Sequence, residues 1–521
     1  MGRFARGRRA RTGLLVGGLA MSFAILVAYL ASLIGFTFAP DALAQSVIEV
    51  LPGAIAVPLI ELLQFWAKRL LVAGVLTAFL ASGALAGALA TDPRRRDRTA
   101  VATGIAPWAI TVLLSQLFAG SKVDLPSILL TGSVGAVAFL VALQFLSSAA
   151  AYQPSEARDA EASPSRRRAL TGAAAVAAAL AVASVGLGST VRASLRKTES
   201  VRAVVRRLRT GSQAVIPPAG PSFDGITALT PRITENATFY TVDTTLIKPT
   251  VDGAKWRLDI TGAVESPFSL SYEDLLDLEA VEQLKTLECI SNNVGGDLMS
   301  TALFTGVPLR DLLLRAKPKA DAYDVKLTSV DGYTDSIRIE KALEPDTVVA
   351  YLMNGYALPE DHGFPARLLV PNIYGMKNVK WLRMIEVVTF DYQGYWMQRG
   401  WSDSAIINTN TRIDTPANLK WSGDSATIAG VAFAGARGIK TVEVSTDGGA
   451  SWQAAVLEQP LGPLTWVRWK LDWSPSKAGK HSVLARSTDG TGERETAIRR
   501  EPFPSGATGY DRIEISVQQG S

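Results

Sequence analysis

Two residue types used for covalent and metal chemistry are scarce: among 521 residues there is one cysteine, Cys289, and there are two histidines, His362 and His481. A single cysteine excludes any disulfide within the chain. It also excludes an iron–sulfur cluster, which needs several thiolates. Both histidines lie far from the apolar first 190 residues, so that region cannot offer the paired imidazoles that hold a b-type haem, and no haem is predicted in this chain. Ionisable residues are almost missing from the long apolar runs as well, which argues against a transporter, whose pathway needs them. The net charge of +5 does not point to nucleic acid, because the arginines cluster beside apolar segments, in RFARGRRAR, DPRRRDR and SPSRRR.

Hydrophobic residues make up 48% of the chain and are concentrated before residue 190. A membrane span needs about 20 predominantly apolar residues. Five stretches qualify, residues 14–36, 70–90, 99–119, 126–150 and 169–188. A sixth, SVIEVLPGAIAVPLIELLQFW, carries Glu49, Glu61 and two prolines, and reads as interfacial or re-entrant. With five spans and a cytoplasmic amino terminus, all three arginine clusters fall inside, and everything beyond about residue 190 lies on the outer face of a multi-pass cell-membrane protein. The segment 191–224 holds an amphipathic helix, with Val201, Val204, Val205 and Leu208 at i, i+3, i+4, i+7, and a Pro/Gly-rich linker, QAVIPPAGPSFDG. The last span has two readings. SRRRAL followed by a mild Ala/Gly-rich run resembles an internal twin-arginine export signal, and it also suits a plain positive-inside anchor.

Residues 225–420 mix β-like runs (WRLDITGAV, DVKLTSV, TVVAYLM, ARLLVP, LRMIEVVTF) with helical pieces such as YEDLLDLEAVEQL, an α+β domain. Residues 424–510 read as all-β. VEVSTDGGASW turns at Asp447-Gly448-Gly449, and in TWVRWKLDW the residues Val467, Trp469, Leu471 and Trp473 share one face, which predicts an immunoglobulin-like sandwich with core tryptophans. Cys289 sits in TLECISNNVGG, between an apolar run and a polar turn. From the residues alone it is either a small buried hydrophobe or a ligand.

TLECISNNVGG, then TGVPLRDLL, then MNGYALPEDHGFPARLLVPNIYGMKNVKWLRMIEV, then the sandwich, together resemble the sulfite oxidase family of molybdopterin oxidoreductases over about residues 225–500, in its membrane-anchored bacterial type. The resemblance implies that the Cys289 thiolate is the metal ligand and a catalytic residue, in a molybdopterin-binding catalytic domain at 225–420 and a dimerisation-type domain at 424–510. It also implies cofactor-binding roles for His362, Arg367, Asn378, Val379 and Lys380, for Asn236, Tyr240 and Thr241 in ENATFYTVDT, and for Thr328. Lys377 and Lys380 read otherwise as solvated surface. Tyr333 matches the family tyrosine near the metal's exchangeable oxygen, a catalytic position. The implied reaction is a two-electron oxygen-atom transfer on a small sulfur- or nitrogen-containing substrate, with a separate cytochrome or quinone-linked redox partner and a homodimer. Thr241, Asp243, Asn292 and Asn293 stand where the family's sulfite-binding arginines are expected, which points toward neutral S-oxides or N-oxides. The alternative is a non-catalytic extracytoplasmic binding or sensing module on the same fold.

Overall fold

The computed structural model describes residues 2–32, 36–52, 66–90, 98–119, 125–151, 218–246, 248–416, 420–421, 425–475 and 477–517, with isolated positions between 55 and 63. The fifth predicted span, the arginine motif that begins it, the amphipathic helix and the start of the linker lie outside these residues. Contacts divide the chain into two units, residues 1–199 with 245–247, and residues 200–244 with 248–521.

The first unit is helical: α1 Gly2–Ser32, α2 Ala39–Val50, α3 Trp66–Ala90, α4 Arg98–Leu114 with a π-helical turn Ser115–Ala119, and α5 Leu125–Ala151. Among the described residues, four segments are long and apolar enough to cross a membrane, Arg11–Ser32, Trp66–Ala90, Arg98–Phe118 and Leu125–Ser148, and they coincide with the first four predicted spans. This is the pattern of a multi-pass membrane protein. α2 is not among them. Its 12 residues reach only about 18 Å, and Leu51 turns to an extended conformation because Pro52 bars the helical region to the residue before it. α1 and α3 cross at Gly13 and Gly17 on one helix and Gly83 and Gly87 on the other. A Cβ at Gly17 would overlap the Gly83 carbonyl oxygen, so both helices use the small-xxx-small spacing that lets backbones meet in an apolar medium.

The second unit opens with an α+β region. Its strands are β1 Arg257–Gly262, β2 Phe268–Ser271, β3 Val281–Glu288, β4 Met299–Pro308, β5 Asp324–Ser329, β6 Thr334–Arg338, β7 Val348–Met353, β8 Tyr356–Ala357, β9 Arg367–Leu369 and β10 Leu382–Val388, with helices α6 Tyr272–Leu276 and α7 Leu309–Ala316. They make two sheets: β2-β1-β10-β5-β6, and β3-β4-β7-β8 with β9 added beside β7. β4 and β7 are buried along nearly their whole length, because the second sheet carries apolar layers on both faces. On α7, Leu309, Leu312, Leu313 and Ala316 form the buried stripe. The helix expected over YEDLLDLEAVEQL is a correction. A Ser271/Asp274 capping box starts α6, but it ends at Leu276, and Val281–Glu288 instead pairs with all of Met299–Gly306 in β4. Tertiary pairing overrides the helical preference of its Glu and Leu residues.

The rest is β-structure: β11 Asn410–Thr415, β12 Lys420–Trp421, β13 Ala426–Phe433, β14 Ile439–Ser445, β15 Gln453–Ala454, β16 Val456–Leu457, β17 Val467–Trp473, β18 Gly479–Asp489 and β19 Asp511–Val517. The sheets β11-β13-β17-β16 and β12-β19-β18-β14-β15 share one core containing Trp469 and Trp473. The predicted hairpin is present as β14 and β15, with Gly448 and Gly449 at positive φ in its loop. Alternation along β17 holds with one exception. Arg468 is buried as deeply as its apolar neighbours, since Glu458 takes its Nε at 2.6 Å and Asp224 its Nη2 at 2.5 Å.

Replacing Gly83 by leucine is expected to separate α1 from α3 and to lower the stability of the detergent-solubilised chain by roughly 1–3 kcal/mol, the usual cost of overpacking. Thermal unfolding of the helical signal measures it, and an unchanged midpoint would show that the two helices do not depend on this crossing.

Candidate active site around Cys289

β3 delivers Cys289. Lys285 and Leu287 share one face of the strand, and Cys289 is next in that alternation, just past the strand end. Its backbone N–H donates to Leu298 and its carbonyl accepts from Asn292, so the turn closes on itself. The Asn292 side chain lies inside that turn, donating to Glu288 at 3.1 Å and accepting from the Leu298 N–H at 3.0 Å. The Cys289 thiol is 7% exposed and lies 3.0 Å from Ser291 Oγ. Burial pushes its pKa up, which Ser291 opposes, so the free side chain is a thiol rather than a thiolate.

Around it the loops bring a set of cations and aromatics. Tyr240 is partly buried, and burial followed by the nearby Cys289 raises its pKa well above the phenol range. The Gly375 turn runs against it: a Cβ at Gly375 would lie 2.6 Å from the Tyr240 hydroxyl and 3.2 Å from the Glu288 carbonyl. His362 Nε2 meets the Asn236 carbonyl at 2.8 Å and packs edge-on to Phe239. The Asn236 side chain donates to the Met353 carbonyl and accepts from Asn354.

Arg367, 5% exposed, donates to the carbonyls of His362 and Asn378, each at 3.3 Å, while its Nε has no hydrogen-bond partner. Burial draws its pKa down to about 10, opposed by Tyr240 and Asp243, so it stays charged at neutral pH. Lys285, 2% exposed, reaches only Asn378 Oδ1, at 3.1 Å, and burial followed by Arg367 lowers its pKa strongly. Among the described residues neither cation has a carboxylate partner. Arg367, a buried cation without a direct carboxylate contact, fits a site for an anionic group, while burial favours the neutral amine of Lys285.

Asn378 is the organiser. Its Oδ1 accepts from the Val370 N–H at 2.8 Å and from Lys285, and its Nδ2 donates to the carbonyls of Ile373 and Tyr374. Its side chain is thereby occupied by the protein. Val379 is buried, and its carbonyl accepts from the Leu368 N–H.

Lys377 and Lys380 are not solvated surface. Lys380 pairs with Asp243 and donates to the Asp361 carbonyl at 3.0 Å. Lys377, 2% exposed, lies 3.0 Å from both Asp335 and Asp403. Both are drawn inward by carboxylates distant in sequence. Thr241 is exposed next to Tyr240. Thr328 is on β5 in the other sheet, opposite Thr334, with its hydroxyl buried and unpartnered. Tyr333 is also on that side, in the turn before β6, and reaches the Gly375 turn through the Met376 carbonyl at 2.9 Å. Lys285 and Asp335 escaped sequence reasoning. The signal for Lys285 was its i, i+4 relation to Cys289, visible only if the segment is read as a strand.

His362 stays neutral in the folded chain down to about pH 4, because burial lowers its pKa more than the Asn236 carbonyl raises it. An unfolded histidine takes up its proton near pH 6.5, so stability is full above that value and falls as pH drops from about 6.5 to about 4, by about 3 kcal/mol in all. Denaturant titrations at pH 7.5 and 4.5 should show this slope in the wild type and a shallower one in His362→Gln. Asn378→Ala, tested by the same titration at pH 7.5, should lose about 3 kcal/mol through its stranded buried partners.

Residues 245–396 match the family model described as the oxidoreductase molybdopterin binding domain, and residues 401–497 match the Mo-co oxidoreductase dimerisation domain. The chain is 31% identical over 308 residues to the mitochondrial sulfite oxidase of Homo sapiens, covering 49% of this chain and 56% of that protein. It is 29% identical over 290 residues to the NAD(P)H nitrate reductase of Hordeum vulgare, covering 43% of this chain and 32% of that one. It thus spans about half, or a third, of the length of these relatives. Its fold is similar to that of the sulfane dehydrogenase SoxCD from Paracoccus pantotrophus, with a TM-score of 0.50 at 23% identity, over 56% of this chain and 82% of that one. Residues 245–497 therefore carry a molybdopterin-binding oxidoreductase domain and its dimerisation domain, of the superfamily of sulfite oxidases and nitrate reductases.

Proposed function

We propose that this chain is a membrane-anchored molybdopterin oxidoreductase with its catalytic domain on the outer face, carrying out two-electron oxygen-atom transfer on a small sulfur- or nitrogen-containing substrate. The observation that carries this reading is the buried Cys289 thiol and the buried Arg367 guanidinium, both within electrostatic reach of Tyr240, with Arg367 making no salt bridge to a carboxylate among the described residues and its Nε–H left without a hydrogen-bond partner. Cys289 would hold molybdenum and give up its thiol proton on doing so. Arg367, whose planar fork still has a free N–H, would take an anionic oxygen of the pterin. His362, Asn236 and Val379 would shape the wall, with Tyr240, Thr241, Thr328 and Lys380 as further contacts. When bound, the cofactor would supply a two-electron metal centre for oxygen exchange. Tyr333 would hydrogen-bond the transferred oxygen or carry its proton.

Substrate charge follows from the same loops. Asp243 is already paired with Lys380, so neither adds a free charge for a dianion, and Asn292 is enclosed in the cysteine turn. This supports neutral S-oxides or N-oxides over sulfite. The chain would exchange electrons with a separate cytochrome or quinone-linked protein and pair as a homodimer through an immunoglobulin-like sandwich. Export of the catalytic domain would use the twin-arginine motif, and Arg166→Lys with Arg167→Lys should then leave that domain inside by protease accessibility.

Purified from a cofactor-making host, the wild type should contain about one molybdenum atom per chain, and Cys289→Ser should lose the metal–sulfur signature. Turnover should be higher with methionine sulfoxide or trimethylamine N-oxide than with sulfite. Folded, exported protein without molybdenum would replace the enzyme by a binding module.

A further inference from the structure

Tyr333 begins a line of hydrogen bonds that ends at the protein surface. Its hydroxyl lies 2.8 Å from Asp335 Oδ2. Asp335, fully buried on β6, meets Lys377 Nζ through Oδ1 at 3.0 Å. Lys377 also donates to Asp403 Oδ1 at 3.0 Å, to the Ser336 carbonyl at 2.8 Å, and lies 3.9 Å from Met397 Sδ. Asp403 has 48% of its side chain exposed. We propose that Asp335, Lys377 and Asp403 are positioning residues that carry protons between Tyr333 and solvent.

This rests on the reading of Tyr333 as the phenol of the active site. A buried ion pair replacing apolar packing brings little stability of its own, and this one is threaded between a phenol and the surface.

The transfer balances. In one tautomer of the pair, Asp335 holds a proton on Oδ1 and Lys377 is neutral. The phenol O–H then breaks as Oδ2–H forms, and Oδ1–H breaks as the Lys377 ammonium forms. Lys377 passes a proton to Asp403, which releases it to water, the Asp335 carboxyl turns to bring its proton back to the position facing Lys377, and the phenolate takes its replacement from the site. Proton uptake is the reverse. Tyr333 has a second acceptor in the Met376 carbonyl at 2.9 Å, so its hydroxyl can turn there when Asp335 is protonated at Oδ2.

The surrounding charges suit this. Burial pushes the Asp335 carboxyl up against the pull of Lys377, and Lys377 is held up by its two carboxylates against burial. Tyr333 is raised first by burial and then by Asp335, with Asp331 and Tyr395 adding to it, and Asp403 also faces Asp324 electrostatically.

The test is made first on the full-length chain produced without cofactor. Proton–deuterium exchange at the Tyr333 hydroxyl is followed by the infrared C–O band of ring-labelled tyrosine, with Tyr333→Phe as the blank. Asp403→Asn, at an exposed position, should slow exchange about a hundredfold, the low end of what positioned proton transfer contributes. Asp335→Asn should do the same, and formate should restore Asp403→Ala. Exchange in Asp403→Asn as fast as in the wild type would overturn the path. In the molybdenum-loaded enzyme, Asp403→Asn should shift the pH profile of turnover. If the wild type takes up no molybdenum, the enzyme reading falls while the exchange rates still decide the path.

Discussion

The amide of Asn378 joins pieces of chain that have no local reason to meet. It accepts from Lys285 on β3 and from the Val370 N–H just past β9, and it donates to the Ile373 and Tyr374 carbonyls at the entrance of the Gly375 turn. Its own carbonyl receives Arg367. In a buried setting these bonds have no water to replace them, so losing one strands a polar group. The position of Lys285 and Arg367 relative to the glycine turn depends on this one residue.

Charge is handled in two ways among the buried basic residues of this region. Lys377 and Lys380 are neutralised by Asp335, Asp403 and Asp243. Among the described residues, the hydrogen bonds of Arg367 and Lys285 go to carbonyl and amide oxygens alone. Carbonyl dipoles compensate a buried cation less than a carboxylate does, so Arg367 carries a desolvation cost that an anion would relieve. This contrast between satisfied and unsatisfied cations separates framework from candidate binding groups more sharply than burial does.

The end of β3 just before the Cys289 turn also ties the α+β region to the β-domain. Glu288 accepts from Asn410 on β11 at 3.0 Å as well as from Asn292, and the Thr286 hydroxyl accepts the Trp466 N–H at 2.9 Å. β3 therefore has one face toward the cations and the other toward the β-domain. A shift of the sandwich would be felt at the cysteine through β3 itself.

Four long apolar helices, the strands β1, β5, β7, β9 and β10, the β14–β15 hairpin and the core tryptophans were legible because hydrophobic period and turn chemistry are local properties. The ordered motifs around Cys289, His362 and Arg367 were legible because residue type and order are written in the chain. Read locally, Val281–Leu284 at the end of YEDLLDLEAVEQL looked helical and Lys377 looked solvated. Only tertiary structure decided that the first is a strand, since β4 supplies its pairing, and that the second is buried, since Asp335 and Asp403 come from 42 and 26 positions away. Burial and charge pairing are sums over neighbours brought by the fold, and no window of sequence contains them.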